Sequence, residues 1–255
     1  MRIIWLVFAI ILLTFGTYYA ISYITAPPAA NRIGDEVIQL NTKKQVATNV
    51  EVNKSWNNTP GSTLIFYISP TITDRTSVSG NEYATAIQIG NLLTFNILVA
   101  PDAGQGSLMA PARLNISVNG KIESIDITSI PLQRWSSVVI VKQGRIFNIY
   151  VNGRLTNSYS CTAMPDSDPT QALKVGDQRL GGIIALMSLA AYPMQASDVR
   201  ALVRDTVDTD GKPYLSSNSP TISLPSLKFS FMCPGGNCNT PKKAGPMEQW
   251  QTVYA

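Results

Sequence analysis

Cys233 and Cys238 enclose Pro-Gly-Gly-Asn, a spacing that can close a small disulfide loop or present a metal or redox pair. With no histidine in the chain and no further cysteine nearby, a tight turn or disulfide loop is the plainer reading. The missing histidine has wider consequences. It removes Ser–His and Cys–His nucleophile activation, the commonest general base, and most zinc sites. Cys161, the third cysteine, has no obvious partner, and three cysteines are too few for a disulfide scaffold. Glu123 and Asp126 are the nearest approach to a paired-carboxylate site, yet a regular strand sends residues three apart to opposite faces. Trp56 and Trp250 lie outside the strand-like runs and are candidate contact residues for a ligand or partner.

The elements that would position these residues are mostly strands. Gly, Pro, Ser, Thr and Asn are plentiful, and Val, Ile, Leu and Tyr fall in short runs between them. In 62–69 Leu64, Phe66 and Ile68 share one face at period two, and Ile65 and Tyr67 share the other. Further strands are predicted at 36–40, 83–89, 92–99, 114–118, 121–127, 146–151, 154–159 and 183–189, with a loop over 101–112. Asn119-Gly120 and Asn152-Gly153 each sit between apolar-alternating runs, the strongest short-range hairpin signal. One helix is predicted over 197–204 with Ser197 as cap. Beyond residue 205 the chain turns Pro-, Ser- and Gly-rich, with one strand-like run at 226–232. The net charge of +4 is slight and contains only doublets such as Lys43-Lys44 and Lys242-Lys243, so nucleic-acid binding is unsupported.

Residues 3–26 carry no charge, and a helix of that length spans roughly 30 Å of hydrocarbon. Trp5 at one end and Tyr18, Tyr19 and Tyr23 at the other are placed as interfacial belts, and Pro27-Pro28 stops the helix. A retained single-pass anchor in a lipid bilayer is therefore expected over 1–26, because the apolar core exceeds the usual signal-peptide h-region of about 7–15 residues. Residues 27–35 read as a linker. The Lys and Arg count on either side of the apolar run favours the cytosolic side for the domain. Glycosylation acceptor patterns at Asn53, Asn57 and Asn115, short enough to arise by chance, point the other way.

Three pieces of sequence stand out: Trp135 with the strand after it, Gly144 and Phe147 to Gly153; Leu173-Lys174-Val175-Gly176; and Gly182 to Tyr192 before a short helix. Together they resemble the laminin-G-like branch of the concanavalin A-like lectin/glucanase superfamily. The match covers residues 36–204, most specifically 135–202. It implies an all-β jelly-roll sandwich of two antiparallel sheets. Glucanases of that superfamily carry Glu-x-Asp-x-x-Glu on one strand; here the third carboxylate is missing, so no enzyme is expected. Laminin-G-like domains often hold calcium at the sandwich rim, which makes Asp166, Asp168 and Asp177 candidate ligands, although Asp166-Ser-Asp168-Pro reads equally well as a turn. Trp135 and Tyr150 read as packing residues rather than sugar platforms.

Two functions from different classes are compatible with these readings. One is a structural protein whose sandwich and 205–255 arm dock on a protein layer and link it to a membrane, as minor capsid proteins do in virions of large DNA viruses with an internal membrane. The alternative is a cell-surface lectin-like or adhesion module that binds glycan or a matrix protein. Fold alone does not choose between them.

Overall fold

The computed structural model describes residues 10–18, 31–34, 37–57, 61–71, 82–98 and 108–215. Residues 10–18 form helix α1, on which Tyr18 is exposed. No helix among the described residues is long and apolar enough to cross a membrane. The rest of the apolar run, with Trp5, Tyr19 and Tyr23, lies outside the described residues, as do Trp250, Cys233, Cys238 and the run at 226–232.

The strands are β1 (Asn31–Gly34), β2 (Ile38–Gln39), β3 (Lys44–Ala47), β4 (Gly61–Thr71), β5 (Tyr83–Ile89), β6 (Leu93–Leu98), β7 (Met109–Val118), β8 (Lys121–Pro131), β9 (Ser136–Gln143), β10 (Ile146–Val151), β11 (Arg154–Ser160), β12 (Leu173–Val175) and β13 (Gly181–Ala190). All pairings are antiparallel. One sheet runs β1-β13-β4-β9-β10-β11 with β2 also on β13, and the other runs β3-β12-β5-β6-β7-β8. Both Asn-Gly hairpins form as predicted, with φ of 51° at Asn119 and Asn152 and positive φ at the glycines after them.

The period-two reading of 62–69 holds in detail. Leu64, Phe66 and Ile68 point between the sheets, where Phe66 meets Phe95 edge-on at 5.2 Å. Ile65 and Tyr67 point the other way, into a second core roofed by helix α3 (Ala196–Thr206) through Val199 and Val203. The Tyr67 hydroxyl is hydrogen-bonded to Thr206 Oγ1, which fixes the end of that helix on the sheet. The central strands β13, β4 and β9 are thus covered on both faces, while the edge strand β11 stays largely exposed. This explains why β13 is apolar almost throughout.

Several boundaries differ from the sequence reading. Residues 31–34, read as linker, pair with β13; a strand of four residues is too short to show a period. β7 begins inside the predicted loop, at Met109, and Pro111 sits where the register shifts between Ala110 and Ala112. A bulge tolerates a residue without an N–H, so the proline does not end the strand. The segment before β4 holds α2 (Asn49–Val52), which continues as a π-helical turn, Asn53–Asn57. Its start is marked by a capping box: Thr48 Oγ1 accepts from the Glu51 N–H, and Glu51 Oε2 accepts from the Thr48 N–H at 2.8 Å. In α3 the N-cap is Gln195 rather than Ser197, whose hydroxyl instead donates to Asp198 within the first turn.

Candidate functional site

Among the described residues no helix covers the outer face of the six-stranded sheet. Its side chains form transverse polar rows. Cross-strand register places Gln45, Lys174, Gln88, Thr94, Asn115 and Ser124 side by side across all six strands. A second row contains Thr85, Asn96, Arg113 and Asp126. Within it Thr85 Oγ1 donates to Asn96 Oδ1 at 2.9 Å and Arg113 Nε donates to Asp126 Oδ1 at 2.7 Å. The Arg113 guanidinium lies 4.5 Å over the Tyr83 ring.

Two clefts open at the ends of β12. The first, about 380 Å³, is lined by Lys43, Thr85, Gln88, Gly176, Asp177, Gln178 and Arg179. The β12 exit turn builds its wall. Gly176 adopts φ +91°, and a Cβ there would stand 2.2 Å from the Thr42 carbonyl oxygen, so only glycine fits. Asp177 is anchored by its N–H on the Leu40 carbonyl at 2.8 Å. Its carboxylate accepts from Arg179 Nη2 at 2.9 Å and from the Arg179 N–H at 3.0 Å. Hydrogen bonding from the guanidinium holds the Asp177 carboxyl below the usual range and pushes Arg179 up. Glu82 approaches the same guanidinium at 3.4 Å.

The second cleft, about 320 Å³, is lined by Gln45, Asn49, Gly90, Thr170, Gln171, Ala172 and Lys174. Asp168 organises its wall: the carboxylate accepts from the Thr170 N–H at 2.8 Å, from Thr170 Oγ1 at 2.7 Å and from Gln171 Nε2. Asn57 Nδ2 donates to the Asp168 carbonyl at 2.8 Å and ties this loop to the π-helical turn. Amides, hydroxyls and ammonium groups dominate both linings, and Asp177 is the one carboxylate among them. Such a set can bind hydroxyls and anions; it offers no pair of carboxylates for bond cleavage.

The residues singled out from sequence are dispersed. Asp166, Asp168 and Asp177 occupy three separate turns and do not converge. Asp166 accepts from Ser117 Oγ at 2.6 Å and from the Asn119 and Gly120 N–H groups at 2.9 Å, capping the β7–β8 hairpin. No group of three or more Asp, Glu, Cys or His able to hold a metal occurs among the described residues. Trp56, expected as a contact residue, is instead buried at 3% exposure in the π-helical turn. Tyr150 is buried in the core under α3, and half-buried Trp135 packs against that core. Glu123 and Asp126 do point to opposite faces: Glu123 accepts from Tyr159 Oη at 3.0 Å, while Asp126 faces out beside Arg113. Of the acceptor asparagines, Asn57 is engaged with Asp168, Asn115 Oδ1 is buried, and Asn53 is half-buried at the end of α2.

The cleft-lining residues other than Asp177 had no sequence signal as a set, because antiparallel pairing of β3, β12 and β5 assembles them from three distant segments.

The fold is a sandwich of two antiparallel sheets. It is similar to the crystal structures of the receptor-binding domains of botulinum neurotoxin C/D mosaic serotype and of botulinum neurotoxin D. Each has a TM-score of 0.51 and 16% identity over 72% of this chain, covering 48% and 49% of those chains. It is also similar to the ligand-binding domain of botulinum neurotoxin serotype D, solved in complex with N-acetylneuraminic acid, with a TM-score of 0.50 and 20% identity over 74% of this chain and 50% of that one. This chain spans about half the length of the structures it matches. No protein-family model matches the sequence, and no curated protein matches it.

Proposed function

We propose that this chain is a non-catalytic lectin-like module that binds glycan on the outer face of its six-stranded sheet and is held at a membrane by residues 3–26. One observation carries this reading: among the described residues the two clefts and the polar rows share the outer face of the six-stranded sheet, whereas α3 packs on Ile65, Tyr67, Val139 and Val141 of the other sheet. Rows of amides and hydroxyls at a spacing of about 4.8 Å between strands match the dense hydroxyls of a saccharide. The similar neurotoxin domain that was solved with N-acetylneuraminic acid supports a sugar as the ligand class. A role linking that membrane to a protein shell, as in a minor capsid protein, rests on the same apolar run and gains no separate support from the sheets.

The test is a glycan array probed with the full-length protein in detergent micelles, followed by Gln88→Ala and Gln171→Ala. Saccharide binding that weakens about tenfold in either variant supports the reading, on the scale of one or two lost hydrogen bonds. A blank array, or binding that neither variant changes, sinks it.

A further inference from the structure

This inference rests on the glycan-binding reading and concerns the chemistry of the glycan. Each cleft at the ends of β12 contains a lysine. Lys43 lines the first and Lys174 the second. Lys174 is registered against Gln45 on β3 and Gln88 on β5. Lys43 immediately precedes β3 and lines the first cleft beside Thr85 and Gln88, members of the two outer-face rows. Two ammonium groups therefore rise from one edge of the outer face.

Among the described residues neither Lys43 nor Lys174 takes part in an ion pair. Arg179, the third cation lining the clefts, is different: Asp177 and Glu82 both engage it. Asp177, the one carboxylate in either lining, is thus already committed. The amides around the lysines can read hydroxyls but cannot neutralise charge. Two like charges in clefts at the two ends of one short strand repel, and an anionic group seated between them would reverse that repulsion with two charge-assisted hydrogen bonds.

We propose that the glycan this face takes is acidic. Its carboxylate or sulfate groups sit between Lys43 and Lys174, its hydroxyls meet Gln45, Gln88 and Gln171, and the sugar chain crosses β12 from one cleft to the other.

The experiment is titration calorimetry of the full-length protein in detergent micelles with sialyllactose, a heparin-derived tetrasaccharide and neutral lactose. At low salt at least one acidic probe should bind about tenfold or more tightly than lactose, and added salt should narrow the gap. Lys43→Gln and Lys174→Gln should each remove most of that preference, while Lys121→Gln, at the far hairpin, should leave it intact. A response to sialyllactose identifies a carboxylated ligand, and a response to the tetrasaccharide a sulfated one. Lactose binding as tightly as both acidic probes, or a preference untouched by either cleft variant, overturns the inference and leaves the glycan reading standing. Binding of none of the three overturns both.

Discussion

The Lys142 ammonium stands 4.9 Å from the centroid of the Trp56 ring and donates a hydrogen bond to the Trp56 carbonyl oxygen. Among the described residues no carboxylate pairs with it. The contact joins β9 to the π-helical turn, and from there Asn57 reaches the loop that walls the second cleft. Burial pushes the Lys142 pKa down to about 8. An unfolded chain keeps that proton up to about pH 10.4, so between those values the unfolded state binds more protons and stability rises with pH. Below about pH 8 both states are charged and the folded state bears the desolvation cost.

Lys142→Met keeps a long apolar stem against Trp56 and removes the charge. The urea midpoint of the wild type minus that of the variant should therefore increase between about pH 8 and about pH 10. Taking the difference cancels other groups that titrate in that range. A flat difference would show that the fold does not desolvate this ammonium.

Asp166 should report as a turn residue and not as a metal ligand. Its three hydrogen bonds to Ser117, Asn119 and Gly120 hold its pKa below the usual carboxylate value, the Ser117 hydroxyl contributing most. A depressed carboxylate stabilises the fold above its unfolded pKa of about 3.9, and that contribution disappears as pH falls through the folded value. Asp166→Ala should cost about 1–2 kcal/mol at neutral pH, with a smaller loss in acid, measured by denaturant unfolding at both pH values. An equal loss at both would deny the carboxylate its role.

The alternation that builds the sandwich is legible in sequence because each face of β4 meets a different core. Leu64, Phe66 and Ile68 serve one, Ile65 and Tyr67 the other. Both Asn-Gly turns are legible for the same local reason, since only residues tolerant of positive φ close a tight hairpin. Trp56 misleads because it lies in no periodic run; a π-helical turn buries it without leaving a pattern. The clefts are invisible in sequence because Lys43, Gln88, Lys174 and Arg179 come together only through the β3-β12-β5 pairing. β12 itself is three residues long, too short to advertise a period. Asp177 does line a cleft, but with different chemistry from a calcium ligand: its partner is the guanidinium two residues on.

Cys161 should be inert while the protein is folded. The thiol is 2% exposed, and burial, helped by the nearby Glu123 carboxylate, pushes its pKa up to about 11. The thiolate is the reactive form, so at about pH 8 little of it exists in the native state. Iodoacetamide followed by peptide mass spectrometry should find Cys161 unmodified in buffer and alkylated in denaturant. Rapid native labelling would mean that the strand end carrying it opens readily.

Calcium should leave this protein unchanged. Asp166, Asp168 and Asp177 are each occupied in their own turn and do not share a space for an ion. Adding calcium or a chelator should not shift the thermal midpoint, because a ligand stabilises only a state that binds it. A midpoint that rises with calcium concentration would reveal a site built from other residues.

Gly176 offers the sharpest separation of fold from function. Gly144, in the β9–β10 turn, also has positive φ, +59°, but a Cβ there would meet open space. Gly144→Ala should therefore cost only the backbone penalty, about 1–2 kcal/mol, and leave saccharide binding intact. Gly176→Ala carries a comparable penalty at φ +91° and also drives its Cβ to 2.2 Å from the Thr42 carbonyl oxygen. That oxygen belongs to backbone and cannot rotate aside, so Thr42 must move and Lys43 beside it must move too, while the turn carrying Asp177 and Arg179 is displaced from the opposite wall. Gly176→Ala should consequently lose more stability than Gly144→Ala and, at a temperature where both are fully folded, bind saccharide at least tenfold more weakly. If both variants bind like the wild type, the first cleft does not hold the ligand.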